Sequence, residues 1–526
     1  MKWIARALLV ACLSGATPAL ADTPKNTLVM AKAIDDIVSM DPAEVYELSN
    51  SEVVVNVYDR LVGLEPEDMT KLVPTGAESY EVSADSKTFT FKLREGLTFH
   101  SGSPVTAEDV LFSYQRVLTL GLTPAYILQG LGWTAENFKD MGKAVDDRTV
   151  RLTIAVDLAP SLVLNVFSTT VSSIVDKKEA LAHEVNGDLG HEWMKTNSAG
   201  SGAFKMLSWK ANDSVVLQRQ ATFRRGEPTI ERVIIRHVPE ASSQRLLLEK
   251  GDIDIARNLT ADQIQGIASN ADIKVEASPK ATIYYLGMSQ KIEPLQKVQV
   301  RQALKYLIDY QGMADTFLKN RFRVHQSVWP SGFFASLTDT PFKLDVAKAK
   351  ALLAEAGYPD GFELELEAPN VQPFVDVAQS IQSTFAQGGV TLKIVSEDTK
   401  QALTKYRARQ HQTIIMYWGP DFLDPNANMD SFANNPDNSD QSAGKPLVWR
   451  NSWDIPELSK KTVAAATERD SAKREQMYLD IQKELQDEGP YAVMFQELEQ
   501  IARRANVNGF FSGPNADLVY FYNVTK

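Results

Sequence analysis

The segment at residues 416–425, MYWGPDFLDP, holds the side chains best suited to chemistry. An apolar run ends in aromatic residues, Gly and Pro break it, and two carboxylates three residues apart, Asp421 and Asp424, follow. Trp418 offers a broad apolar wall and Asp421 a negative charge for an ammonium group, and such charge-assisted hydrogen bonds contribute about 1.5 to 3 kcal/mol. The alternative is that both carboxylates cap the following turn or helix, and spacing alone favours that alternative.

No other cluster of residues predicts catalysis or metal binding. Ala199 breaks the nucleophile-elbow spacing around Gly200-Ser201-Gly202, which therefore indicates a turn. His183 and His191 lack zinc-protease spacing, and we expect both on surface helices. We predict no catalytic residue, metal or cofactor, although a pair of catalytic carboxylates would leave no local trace in the sequence.

The composition is that of a soluble globular protein with several domains. The 526 residues are 44% hydrophobic, with 55 Lys and Arg against 67 Asp and Glu, a net charge of -12. A domain usually takes about 100 to 200 residues, so clefts between domains are expected. The negative charge would repel phosphate, which argues against a nucleic-acid partner.

The first residues predict export. Lys2 and Arg6 precede an apolar stretch, and Ala19-Leu-Ala21 has the small-x-small pattern of a signal-peptidase site, so we place the cleavage after Ala21. The one Cys, Cys12, lies in the removed segment, within a weak match to a lipoprotein box. The mature chain then has no disulfide and fits a bacterial periplasm, stabilised by its core alone.

The elements around these residues alternate between strands and helices. A strand is predicted at 27–33, a helix at 49–61 capped by Ser49, and a hairpin at 80–94. From about residue 286, amphipathic helices alternate with short strands, one of which, 413–417, leads directly to Trp418. The pattern predicts an α/β protein with mixed sheets.

Six segments, in order along most of the chain, resemble the extracytoplasmic solute-binding proteins of dipeptide and oligopeptide ABC transporters: Tyr80–Arg116, Ser201–Trp209, Gly251–Asp254, Val300–Ala303, Ala347–Gly361 and Trp418–Pro425. The resemblance implies a bilobal periplasmic-binding-protein fold with an extra inserted lobe. It places lobe I at 22–68, 196–288 and 501–526, lobe II at 69–195 and lobe III at 289–500, with hinge crossings near Met288 and Gln500.

The resemblance also implies the ligand contacts. In peptide-binding members, the Asp of a W-x-x-D pattern pairs with the ligand's amino terminus, and here that role falls to Asp421. The predicted ligand-binding residues are Trp418, Gly419, Pro420, Asp421 and Phe422, with Tyr46 and Glu47 from the opposite lobe. Dipeptide receptors also hold the ligand carboxylate with an Arg, but residues 368–377 contain none. Arg323 and Arg450 are alternative cations, which we expect to be surface charges.

The predicted function is therefore capture of a peptide or peptide-like solute between two lobes and its delivery to the permease of an ABC importer, by a monomer that performs no chemistry. Opines, sugar derivatives and nickel complexes are alternative ligands. An exported hydrolase built on carboxylates such as Asp421 and Glu47 is a different class of function, as is a chaperone that binds unfolded chains.

Overall fold

Two long antiparallel strands run through the centre of the protein. The computed structural model describes residues 23–66, 68–442 and 444–526, so the predicted signal segment and Cys12 lie outside the described residues. The two strands, Ile273–Met288 and Tyr491–Arg504, pair along nearly their whole length. Sheet elements that are distant in sequence are joined through this pair.

The strands are mixed in direction and are numbered in chain order. They are β1 (Thr27–Lys32), β2 (Val62–Glu65), β3 (Asp68–Pro74), β4 (Ala77–Val82), β5 (Thr88–Leu93), β6 (Gly142–Asp146), β7 (Thr149–Thr153), β8 (Phe204–Lys210), β9 (Ser214–Arg219), β10 (Arg232–His237), β11 (Ile255–Ala256), β12 (Ile273–Met288), β13 (Phe322–Val324), β14 (Phe362–Pro369), β15 (Val390–Glu397), β16 (Thr413–Trp418), β17 (Tyr491–Arg504), β18 (Phe511–Ser512) and β19 (Val519–Tyr520).

The α-helices cover the faces of the sheets. They are α1 (Leu48–Val57), α2 (Ala107–Leu120), α3 (Ala125–Gln129), α4 (Phe138–Met141), α5 (Pro160–Val166), α6 (Lys177–Ala182), α7 (His191–Met194), α8 (Ala241–Lys250), α9 (Ala261–Ile267), α10 (Val298–Tyr306), α11 (Tyr310–Asp315), α12 (Val346–Glu355), α13 (Phe374–Gln387), α14 (Thr399–Arg407), α15 (Pro425–Ala433), α16 (Leu447–Arg450), α17 (Pro456–Thr467) and α18 (Ser471–Glu488). No helix in the described part of the chain is long and apolar enough to cross a membrane.

The main sheet has the order β15-β14-β16-β12-β17-β11-β1-β10-β9-β8, and β13 pairs with β17 beside it. β1 is parallel to β10 and β14 is parallel to β15, whereas β12 is antiparallel to both β16 and β17. A separate antiparallel sheet has the order β4-β5-β7-β6. These pairings confirm the predicted α/β class with mixed sheets.

Hydrophobic side chains of the described residues form five clusters; we group four of these into three cores, and the fifth packs between β1 and α8. The first core, around β1, β10 and α1, draws on residues 28–64, 175–255 and 501–524. The second core, around β5, β7 and α2, draws on residues 43–174 together with Ala466. The third core lies on both faces of the β14-β16-β12-β17 part of the main sheet. We call these the α13 face and the α18 face, because each is covered by the helix that names it.

A buried ion pair joins the first core to the second. Asp41, which is fully buried, accepts hydrogen bonds from Arg116 Nη1 at 2.7 Å and from His191 Nδ1 at 2.8 Å. Burial by itself would raise the pKa of Asp41, but the bonds from Arg116 and His191 lower it below its usual range. The expectation that His191 lies on a surface helix is therefore wrong, because its ring is hydrogen-bonded to the buried Asp41 carboxylate.

Two further predictions from the sequence concern the cap at Ser49 and the turn at Gly200 and Gly202. Ser49 lies inside α1 and is not its cap; its backbone N–H donates to Asp36 Oδ2 at 3.0 Å, so a side chain from outside the helix serves that end. Gly200 and Gly202, predicted to form a turn, lie in an irregular segment with a bend at Gly202 that crosses closely over the end of α1. A Cβ atom at either position would lie within 2.6 Å of a backbone oxygen of α1 or its neighbour.

We predict that Asp41→Ala lowers the free energy of unfolding by about 3 to 5 kcal/mol, because it leaves the Arg116 guanidinium buried without a counter-charge. Urea unfolding followed by circular dichroism measures this change. Glu457→Ala is the control, since it removes one member of an exposed pair with Lys460 and should change stability by less than about 0.5 kcal/mol. Equal effects of the two substitutions would contradict the prediction.

Candidate functional site

The carboxylate of Asp421 lies where β16 leaves the main sheet. The strand ends at Trp418, Gly419 and Pro420 carry the chain away from the ladder, and α15 begins at Pro425. Trp418 is held in place by a hydrogen bond from its Nε1 to Asn428 Oδ1 at 3.0 Å and by an edge-on contact with Phe432. The indole therefore forms a fixed apolar wall on the α18 face, three residues before Asp421 in the chain.

Two tyrosine hydroxyls from distant parts of the chain meet at this carboxylate. Tyr46 donates to Asp421 Oδ1 at 3.3 Å, and the hydroxyl of Tyr126, from α3, lies near enough to the same carboxylate to affect its pKa. The two hydroxyl oxygens are 3.4 Å apart and the rings pack edge to face. Both tyrosines remain about half exposed, at 48% and 43%, so the group of three is reachable from solvent.

Asp421 has no cationic partner among the described residues. Burial raises the pKa of its carboxyl above the usual 3.8, and the hydrogen bonds from Tyr126 and Tyr46 only partly oppose this shift. Its charge in turn helps to raise the pKa of Tyr46. A partly buried carboxylate that receives only neutral hydroxyls is suited to receive an ammonium group, which would supply the missing positive charge.

Asp424, three residues later, has the opposite environment. It accepts two hydrogen bonds from Arg474, at 2.7 and 2.9 Å, and one from the backbone N–H of Asn426 at the start of α15. Arg474 also donates to Ser161 Oγ at 3.0 Å, beside the second core. The capping alternative is therefore confirmed for Asp424, whereas Asp421 caps no helix.

The other predicted site residues make contacts with different parts of the protein. The carbonyl of Pro420 accepts a hydrogen bond from Asn515, Gly419 lies beside Thr282, and the ring of Phe422 packs against the second core. Glu47 accepts a hydrogen bond from Asn50 of its own helix, and no contact of its carboxylate with Asp421 is present in the described residues.

Sequence reasoning missed Tyr126, because nothing in the local pattern of α3 distinguishes a tyrosine that points toward another part of the chain. Arg323, which we expected to be a surface charge, is half-buried and hydrogen-bonded to Gln496, and Arg450 packs over Tyr406. Within the described residues, no group of three or more His, Cys, Asp or Glu is placed to hold a metal ion.

Comparison with known protein families identifies the class. The model for bacterial extracellular solute-binding proteins, family 5 (middle), matches residues 71–440. The chain belongs to this family of bacterial extracellular solute-binding proteins, as the sequence resemblance predicted.

Individual relatives are similar over nearly the full length. The chain is 28% identical to the probable D,D-dipeptide-binding periplasmic protein DdpA of Escherichia coli K12, covering 96% of this chain and 95% of that one. It is also 28% identical to the dipeptide-binding protein of the same organism, over 88% of this chain and 87% of that one. The solved structure of HbpA2 from Haemophilus parasuis superposes with a TM-score of 0.81, at 24% identity, covering 95% and 99% of the two chains.

We predict that Asp421→Asn raises the free energy of unfolding at pH 7 by about 1 kcal/mol, because residues that serve a binding site commonly lower the stability of the folded protein. The raised pKa means that the folded chain binds a proton on Asp421 more tightly than the unfolded chain does. The gain should therefore vanish as the pH falls below 3.8, where the carboxyl is protonated in both states.

Asp424→Asn is the matched control for that measurement. It uncouples Arg474, whose side chain is 2% exposed, and should lower the free energy of unfolding by about 3 kcal/mol. Urea unfolding at pH 7 and pH 3 compares the variants. A loss of stability in Asp421→Asn at pH 7 would show that Asp421 is a structural residue.

Proposed function

We propose that this protein captures a peptide or peptide-like solute by its amino group and presents it to the permease of an ABC importer. The observation that carries the proposal is the environment of the Asp421 carboxylate. It has no cationic partner among the described residues, and the hydroxyls of Tyr46 and Tyr126, from elsewhere in the chain, point at it. Relatives named for dipeptide binding match this chain over most of its length, which favours peptides over opines, sugar derivatives and nickel complexes.

The ligand would supply the positive charge that the site lacks. An ammonium group on Asp421 makes a charge-assisted hydrogen bond of about 1.5 to 3 kcal/mol, and Trp418 supplies apolar contact beside it. Shifting an open form to a closed form from 1:99 to 99:1 takes about 5.5 kcal/mol of preference for the closed form. One charge pair, main-chain hydrogen bonds and contact with an aromatic wall together supply a preference of about that size.

We propose three lobes with the boundaries predicted from the sequence: 22–68, 196–288 and 501–526; 69–195; and 289–500. The three regions of core support this division, because each draws its residues mainly from one lobe. By these boundaries the chain crosses between lobes I and III near Met288, where β12 ends, and near Gln500 within β17, and we propose these crossings as the hinges. The ladder of β12 and β17 is interrupted between Pro279 and Ile283, opposite Leu498 and Gln496 and so beside the Gln500 crossing, which leaves fewer backbone hydrogen bonds to bend there.

Asp421, Tyr46 and Tyr126 then belong to three different lobes. Their contact is made only when the lobes are together, so a ligand that binds among them favours the closed form over the open one. The same closed shape is what a permease would recognise. We further propose that the protein acts in the periplasm as a monomer after cleavage at Ala21, and that it releases its ligand unchanged.

We predict that Asp421→Asn weakens the binding of tetraalanine at least tenfold, and that acetylating the peptide's amino group weakens binding to the unchanged protein by a similar factor. Either change removes the charge-assisted hydrogen bond, and about 1.4 kcal/mol corresponds to tenfold in affinity. Binding to the unchanged protein should also fall as acid protonates Asp421. Isothermal titration calorimetry measures all three effects.

Asp430→Asn, an exposed position further along α15, is the matched control and should leave affinity unchanged. Mass spectrometry of the peptide recovered after incubation tests for turnover. Equal affinity of acetylated and free peptide would remove Asp421 from the site, and a cleaved peptide would favour the hydrolase instead.

A further inference from the structure

The start of α5 contacts the end of α17, which connects the proposed lobes II and III. The backbone N–H of Ala159, the N-cap residue of α5, donates to the Ala466 carbonyl at 2.8 Å. Ala466 lies in the last turn of α17, where carbonyls have no partner within the helix. Both residues are buried, at 1% and 8% exposure, so this hydrogen bond is shielded from water.

Two arginines extend the contact on either side. Arg474 of α18 donates to Ser161 Oγ at 3.0 Å. Arg469, in the loop before α18, donates to the Asp85 carbonyl at 2.6 Å, in the turn between β4 and β5. A longer bond of 3.4 Å reaches the preceding carbonyl in the same turn. We call this set of hydrogen bonds the II–III contact, and its members are Ala84, Asp85, Ala159, Ser161, Ala466, Arg469 and Arg474.

The II–III contact is linked to the loop that carries Asp421. The guanidinium of Arg474 also donates twice to Asp424, at 2.7 and 2.9 Å, and to the Ala465 carbonyl at 3.2 Å. Asp424 is three residues from Asp421, so the loop and lobe II are held by one side chain. Among the described residues, no member of the II–III contact hydrogen-bonds Asp421 itself.

The II–III contact buries little apolar surface. Among the described buried residues of the second core, Ala466 alone comes from the proposed lobe III, and Phe422 packs there while partly exposed. Lobes I and II, in contrast, are joined by the buried ion pair of Asp41 with Arg116. A contact held mainly by hydrogen bonds, with so little apolar area, can separate and form again as the lobes move.

We infer that the II–III contact sets the fraction of the protein that is closed before a solute binds, and so scales the affinity for every solute by one common factor. This inference rests on the proposed function, which requires an open and a closed form. A solute that binds only the closed form has a measured dissociation constant equal to its intrinsic value divided by the closed fraction. Arg469 is thus a positioning residue that acts through the lobes.

Ala159→Pro tests the inference by removing the N–H of the buried hydrogen bond. The backbone of Ala159 has φ -61° and ψ 138°, values that proline adopts and that a residue before Pro160 requires, so α5 can still form. The added ring lies where the Ala466 carbonyl approaches, which disfavours closure. Calorimetry should show tetraalanine and N-acetylated tetraalanine both weakened by the same factor, of about tenfold or more.

Arg469→Ala should act in the same way but more weakly. Both peptides should lose about threefold in affinity, because exposed charged hydrogen bonds contribute little. Arg469→Lys keeps a positive donor and should restore part of the loss. Lys460→Ala is the matched control, since it removes a charge from α17 that pairs only with the exposed Glu457 among the described residues, and it should leave both affinities unchanged.

The two peptides separate this inference from the proposed function. Asp421→Asn should weaken the free peptide and leave the acetylated one as it was, whereas Ala159→Pro should weaken both equally. If Ala159→Pro and Arg469→Ala leave both affinities unchanged, or weaken one peptide alone, the II–III contact does not set the closed fraction. The result for Asp421→Asn still tests the proposed function in that case. Thermal unfolding checks that each variant is folded.

Small-angle X-ray scattering decides the inference if the unchanged protein binds neither peptide, a result that would contradict the proposed function. Without any solute, Ala159→Pro should then have a larger radius of gyration than the unchanged protein, because the lobes separate more often. Equal radii of gyration would overturn the inference. Lys460→Ala again serves as the control and should match the unchanged protein.

Discussion

The pairing of β12 with β17 is the constraint on which the rest of the molecule depends. These strands carry β16 and β13 on one half of their length and β11 on the other, so both halves of the main sheet are built on one antiparallel ladder. The register of this ladder fixes which residues share a row and a face. Trp418 and Arg323 are 95 positions apart in the chain, yet the ladder places them in one row.

The charges near this ladder fall into two kinds. Glu499 is paired with Arg257 and Lys280, and although burial would raise its pKa, those cations lower it to about 2. Asp41 and Asp424 are likewise matched to arginines. Asp421 differs, since it is partly buried and has no opposite charge among the described residues. A charge in that position costs free energy that a ligand of the opposite charge can recover.

Much of the fold could be predicted from the sequence where a local pattern decides the structure. The hairpin at β4 and β5, predicted at 80–94, follows from the alternation of apolar and polar residues. The candidate site was only partly predictable. Asp421 follows a recognisable break in a strand, but spacing could not separate it from Asp424. That distinction depends on Arg474, which lies 50 residues further along the chain.

Tyr126 could not be predicted for the same physical reason. Its position beside Asp421 depends on tertiary contacts, which a single sequence does not record. His191 was misplaced because its partner, Asp41, lies 150 residues earlier. Local sequence patterns therefore identified the elements, whereas the partners of charged groups required coordinates.

The contact between the second core and α17 has a calorimetric consequence. The Ala159 backbone N–H donates to the Ala466 carbonyl at 2.8 Å, and the side chains of Ala466 and Phe422 pack on the second core. Any motion that separates these surfaces transfers an aromatic ring and a methyl group to water, and hydration of apolar groups increases the heat capacity. Association with a solute that holds the surfaces together would therefore carry a negative heat-capacity change larger than the solute's own apolar area accounts for.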